Sequence, residues 1–188
     1  MNTETQYRPS LTFYHPNNRG TGGAITMELH PAHDATSGSI MLSAANQLSV
    51  GNKTQGGRDY ARFNWKGKLV VKLDFNDLSK MLQVFRGEME SLADGKGLYH
   101  NSPISSTRIV LRHLLEPTNG YSFELYRTLK TGEEMNFHIF LNASEALGIT
   151  EAISGSMAVI AFGIPKVIPH DTSKYREMVK EVNNAPQS

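Results

Sequence analysis

Tyr60-Ala61-Arg62-Phe63-Asn64-Trp65-Lys66-Gly67-Lys68-Leu69-Val70-Val71-Lys72-Leu73-Asp74-Phe75-Asn76-Asp77-Leu78 contains both periodicities that decide the fold. Up to Leu73 the period is two. Phe63, Trp65, Leu69, Val71 and Leu73 share one parity, while Arg62, Lys66, Lys68 and Lys72 share the other, as on a strand whose successive side chains point to opposite faces. Asp74 or Asn76 can then cap a helix, in which Leu78, Met81, Leu82 and Phe85 recur at three and four residues until about Gly87.

Upstream, Leu11 and Phe13 form one strand pattern, Ile25, Met27 and Leu29 a second, and Ser39 to Ala45 a third. Val50 to Gly57 reads as a flexible loop between strands. Downstream, residues 88–106 form a long connection with one short strand and the best candidate for a hinge. Thr107 to Leu115, a turn over Glu116 to Gly120, and Tyr121 to Leu129 make a hairpin. Met135, Phe137, Ile139 and Leu141 alternate as another strand. Asn142 with Glu145 three residues later signals the start of a helix over Ala143 to about Phe162. The chain is therefore expected to be α+β: two antiparallel four-stranded sheets packed with two helices, in the order ββββα–ββββα, with the second helix the more buried. Alternation favours antiparallel pairing, because strands of all-parallel sheets tend to read as continuous apolar runs. The two halves share element order without a detectable sequence repeat. Residues 1–9 read as a flexible tail, 10–164 as one domain, and 165–188 as a second tail with a short helix around Lys174 to Val182.

In 188 residues, 39% hydrophobic and 20% charged, there is enough apolar material for a sizeable core. Nineteen Lys and Arg against eighteen Asp and Glu leave a net charge of +1, so any attraction for a polyanion must come from local clusters. The absence of Cys removes disulfides, thiolate metal sites and a cysteine nucleophile. No run of about 18 apolar residues and no secretory leader is seen, so the expectation is a cytoplasmic protein without a membrane partner.

Arg58, Arg62, Lys66, Lys68 and Lys72 face one acid, Asp59, within fifteen residues. A track for phosphates and a solvated strand face guarded against aggregation explain this stripe equally well. Aromatic residues interleave with the charges, and single-strand binders stack bases on such rings for about 1–3 kcal/mol per base. Core packing claims most of Phe63, Phe123 and Phe137, leaving Tyr60, Trp65 and Tyr126 as the candidates for exposure. Arg108 and Arg112 share a face of the later hairpin and add support. His30, His33 and Asp34 are too closely spaced around Pro31 to converge as ligands, so a metal site is not favoured. No nucleophile elbow, phosphate loop or zinc-protease pattern occurs, so neither cofactor nor enzymatic activity is expected. Small residues Gly148, Ala152, Gly155 and Ser156 allow close packing of the last helix, on its own sheet and against another subunit.

Taken in order, three local patterns resemble the Whirly family of single-stranded DNA-binding proteins, whose relatives include PC4-like coactivators and mitochondrial guide-RNA-binding proteins. They are Tyr60-Ala61-Arg62-Phe63-Asn64-Trp65 leading into a strand and helix, Tyr99-His100-Asn101-Ser102-Pro103, and Phe140-Leu141-Asn142-Ala143-Ser144-Glu145 at a strand-to-helix junction. The similarity spans roughly residues 10–164. It implies a tetramer of crossed sheets, with single strands lying over the sheets and between subunits and bound with little sequence preference. Plant members carry Lys-Gly-Lys on the first strand; here the comparable stretch is Arg19-Gly20-Thr21-Gly22-Gly23, and Lys66-Gly67-Lys68 lies on the fourth. The family's binding residues therefore do not transfer position by position.

These readings converge on a homo-oligomeric binder of single-stranded DNA, or of RNA, serving replication, recombination, repair or transcription. Arg58, Arg62, Lys66, Lys68 and Lys72 are the expected phosphate contacts, Tyr60 and Trp65 the stacking partners, and Arg108 and Arg112 the secondary support. The competing expectation is a structural or protein-interaction oligomer that binds no nucleic acid.

Overall fold

The computed structural model describes residues 10–33, 36–51, 53–54 and 57–164. Both expected tails, the helix near Lys174 and Asp34 lie outside the described residues, as does the side chain of Arg58. The first sheet has the order β1 (Ser10–His15), β2 (Gly23–His30), β3 (Ser39–Ser49) and β7 (Leu69–Leu73), all antiparallel. Between β3 and β7 come a small hairpin, β4 (Lys53–Thr54) with β5 (Gly57–Arg58), and β6 (Arg62–Phe63), which pairs with the far end of β3. Helix α1 (Phe75–Phe85) follows. The second sheet has the order β8 (Leu98–Asn101), β9 (Ser105–Leu114), β10 (Gly120–Leu129) and β11 (Glu134–Asn142), again antiparallel, and leads into α2 (Ala143–Phe162). The fold is thus the expected α+β arrangement of two antiparallel sheets and two helices.

One apolar core joins everything. Ile25, Met27, Ile40, Leu42, Leu69, Val71 and Leu73 from the first sheet share this core with Ile109, Leu111, Phe123, Leu125, Phe137, Ile139 and Leu141 from the second and with apolar residues of both helices. Each helix starts at a reciprocal capping box. Asp74 accepts from the Asp77 N–H while Asp77 accepts from the Asp74 N–H, and Asn142 and Glu145 do the same for α2. Such boxes satisfy two orphan donors at a helix start and are worth about 1 kcal/mol. At the junction of the sheets, the Arg127 guanidinium donates to the Val70 carbonyl at 2.6 Å and to Thr107 Oγ1 at 2.8 Å, covering the outer edge of β7. The Asn46 amide donates to the Asn136 carbonyl at 2.9 Å.

Three expectations need correction. The fourth strand is not continuous: Asn64 accepts the Gly67 N–H at 3.1 Å and folds Trp65–Gly67 into a 3-10 turn between β6 and β7. Phe63 therefore leaves the core, and Lys66 and Lys68 leave the strand face. The second helix is the more exposed of the two, with five of its 20 residues buried against six of eleven in α1. Its apolar surface runs almost all the way round, with mean hydropathy 1.3, enough by length and composition to cross a membrane. Finally, the connection after α1 is not the loose linker expected from the sequence. Leu92 is buried, the His113 N–H donates to the Glu90 carbonyl at 2.8 Å, and Ser91 bridges to Arg112, so the segment is fastened to β9.

Candidate nucleic-acid interface

On the second sheet, Ile109, Leu111, Phe123, Leu125, Phe137 and Ile139 point inward, so the intervening residues form the outer face. Strand register lines these up in rows. Tyr99, Arg108, Tyr126 and Asn136 lie opposite one another across all four strands. The Arg108 guanidinium carbon sits 4.7 Å from the centre of the Tyr126 ring. This cation–π contact holds a flat cation against a flat ring. Tyr99 is 59% exposed. Together with Ser106, Thr128, Glu134 and Met135, these side chains line an open cleft of ≈ 280 Å³. That is below the usual size of an enclosed small-molecule site of about 300–1,000 Å³, and it suits a flat ring laid on the surface better than a sequestered substrate.

Adjacent rows carry Val110, Glu124 and His138, then Arg112, Ser122 and Phe140. The Glu124 carboxylate accepts from the Tyr126 hydroxyl and from the Ser122 hydroxyl, the latter at 3.0 Å, and lies 3.6 Å from Arg112. Burial by itself pushes this carboxyl up, but the bonds from Tyr126 and Ser122, with the charges of Arg112 and His138, outweigh it and hold the group below the usual carboxylate range. The same hydrogen bond, with burial, pushes the Tyr126 phenol up. A carboxyl with a lowered folded pKa contributes stability above its unfolded pKa and loses it as pH falls through the folded one. Glu124→Gln is therefore expected to flatten the acid limb of the stability curve between about pH 5 and 3, followed by urea midpoints. An acid limb identical to that of the unsubstituted protein would mean the carboxylate is not held low.

The outer face of the first sheet carries a second aromatic group. Tyr14 on β1 alternates with Leu11 and Phe13 and is 57% exposed. Its ring packs against Phe63 at 5.4 Å and edge-on against Trp65 at 6.4 Å. The 3-10 turn thus brings Trp65 onto this face half-buried, with Lys66 and Lys68 exposed beside it. The five basic residues of the sequence stripe do not form one row. Arg62 borders a cleft with Arg19, Leu48 and Asp59; Lys72 lies opposite Met41 on the outer face of β7 and β3; Arg58 is on the β5 hairpin. Tyr60 is 73% exposed between β5 and β6. Arg108 and Arg112 stand on the second sheet, the first over Tyr126 and the second partly neutralised by Glu124. Sequence reasoning misses Tyr14, Tyr99 and Asn136. Strand parity marks Tyr14 as outward, but only register across four strands reveals the row containing the other two. Among the described residues no group of three or more His, Asp or Glu side chains could hold a metal ion.

No known family matches this sequence, and no curated protein matches it either. Solved structures do. The crystal structure of WHY1 from Arabidopsis thaliana superposes with a TM-score of 0.66 over 97% of this chain and 97% of its own, at 13% identity. The chain has a Whirly-like fold. WHY3 from the same plant gives 0.66 over 95% of this chain and 98% of its own, at 14% identity. The plant transcriptional regulator PBF-2 gives 0.63 over 97% and 91%, at 15% identity. The Whirly-like fold accounts for the order of strands and helices; at this identity it says nothing about which side chains do the work, which must be argued from this chain's own residues.

Proposed function

We propose that this chain binds single-stranded nucleic acid, with DNA as the first ligand and RNA as the alternative, with little sequence preference and as a non-enzymatic homo-oligomer. The observation that carries the reading is the solvent-facing row of Tyr99, Arg108, Tyr126 and Asn136, which offers ring faces, a cation and an amide on one open surface. Rings accept any base face, and a duplex hides its base faces, so such a surface favours single strands of any sequence. The aromatic group of Tyr14, Phe63 and Trp65 with neighbouring Lys66 and Lys68 supports the same reading on the other sheet.

The oligomer rests on α2. Leu147, Gly148, Ala152, Gly155 and Phe162 are all exposed on a helix that is apolar over most of its circumference. A second copy would cover that surface, and the small residues would let two helices approach closely. A protein-interaction oligomer without nucleic acid is the competing reading, favoured by the same helix.

Titrating labelled single-stranded and duplex oligonucleotides at two salt concentrations separates the two. The binder is expected to prefer the single strand and to weaken as salt rises. Replacing Lys66 and Lys68 together with Ala should flatten the slope of log affinity against log salt by about 0.7 for each phosphate that these lysines neutralise, with folding intact because both side chains are exposed. Unchanged affinity and slope in a folded double variant would reduce these lysines to a solvated turn.

A further inference from the structure

Two of the seven tyrosines are followed by histidine, in Phe13-Tyr14-His15 and Leu98-Tyr99-His100. The fold brings these triplets to matching places. β1 and β8 are each the first strand of a four-stranded meander, each at an edge, and each meander ends in a helix that begins with a capping box. In both triplets the first residue faces the core and the tyrosine stands on the outer face, 57% and 59% exposed.

The histidines turn inward and repeat the relation with the halves exchanged. His15 Nε2–H donates to Glu145 Oε1 at 2.7 Å, and His100 Nε2 lies 3.0 Å from Asp77 Oδ2. Each of these carboxylates is the third-position group of a capping box, on the helix of the opposite half. Because side chains alternate along a strand, anchoring the histidine inward holds the preceding tyrosine outward. Each exposed ring also has aromatic company and positive charge nearby: Tyr14 has Phe63 and Trp65 with Lys66 beside them, and Tyr99 has Tyr126 with Arg108. Fold position, histidine–carboxylate contact, exposure and chemical neighbourhood thus all recur.

We propose that Tyr14 and Tyr99 are two equivalent stacking subsites for bases of a single strand, one on each sheet of the same chain. The inference rests on the single-strand reading above and goes beyond it in assigning two separate subsites per chain and the residue at the centre of each. One subsite has its own reporter, since Trp65, the single Trp of the chain, packs against Tyr14 and not against Tyr99.

Tyr14→Ala, Tyr99→Ala and the double variant test it, using a labelled oligothymidylate for affinity and Trp65 fluorescence for the first-sheet subsite. Each single variant is expected to lose about tenfold in affinity, and the double to lose roughly the product, as for distant independent sites. Tyr99→Ala should keep the oligothymidylate-induced change in Trp65 emission at saturation, Tyr14→Ala should diminish it, and Tyr99→Phe should restore affinity. Thermal melting of each variant shows that the fold is retained, as the exposure of both rings leads one to expect. Tight binding by the unsubstituted chain with Tyr99→Ala equally tight overturns the two-subsite proposal and leaves the single-strand reading standing. Failure of the unsubstituted chain to bind the oligothymidylate overturns both.

Discussion

Replacing Gly155 with Leu is expected to break the proposed homo-oligomer into smaller species while leaving each chain folded. An added Cβ at Gly155 meets nothing within 4 Å, so the isolated chain has room for the larger side chain. Leu is also the better helix former, by roughly 0.8–1 kcal/mol relative to Gly, which should make the single chain slightly more stable. In a close helix–helix contact the same side chain overpacks. At about 1–3 kcal/mol for each of two symmetric partners, the association constant should fall by at least about thirtyfold. Light scattering coupled to size exclusion reads the mass, and thermal melting of the separated chain reads the fold. If the unsubstituted protein is a monomer at micromolar concentration, or if the variant retains the parent's mass, α2 is not the assembly surface.

Gly38→Val is expected to destabilise the folded chain by roughly 3 kcal/mol or more. Gly38 lies just before β3, and its N–H donates to the Ile160 carbonyl at 3.2 Å while the Ala32 N–H donates to the Val159 carbonyl at 3.2 Å. The first satisfies the Ile160 carbonyl and the second adds to the Gly163 N–H already on the Val159 carbonyl, in the last turn of α2, where a helix runs short of its own donors. An added Cβ would stand 2.7 Å from the Ile160 Cα and from its carbonyl oxygen, both backbone atoms that cannot swing aside. The variant must therefore lift the end of α2 from the first sheet and break both bonds. Denaturant unfolding gives the measurement. A midpoint within experimental error of the parent would show that the helix end is not fastened there.

The two-fold element order is legible in the sequence for physical reasons that hold locally. Alternation in Ile25 to Leu29 and in Met135 to Leu141, and the Asn142/Glu145 capping box, are contained within a few residues and match the strands and helix observed. The break between β6 and β7 is not legible. Phe63, Trp65, Leu69, Val71 and Leu73 keep the same parity across it, so the 3-10 turn is silent in the pattern, and only the Asn64 side chain closing on the Gly67 N–H reveals it. Burial of α2 misleads for the opposite reason. Its apolar residues suggest a deep position, whereas apolar residues on all sides of a helix can also mean that one side awaits a partner.

The candidate site is legible in kind and not in layout. Exposed rings beside basic side chains are expected from the sequence, and Trp65, Lys66 and Lys68 do cluster. The row through Tyr99, Arg108, Tyr126 and Asn136 draws on four strands spanning 38 positions, from 99 to 136, and no local pattern announces it. Glu124 is the reverse case. In sequence it is one more acid on a strand; in the sheet it sits between Arg112 and Tyr126 and tempers the positive charge of the face.

The exchanged histidine contacts bear on how such a chain can change over evolutionary time. Each half supplies the histidine that meets the other's capping-box carboxylate, His15 at Glu145 and His100 at Asp77. A change that replaced one half would therefore meet a helix start whose histidine neighbour is encoded in the other, and would have to supply a match for it. Insertions in the exposed turn at 116–119 touch neither contact, so new surface can be added there at less cost to the pairing of the halves.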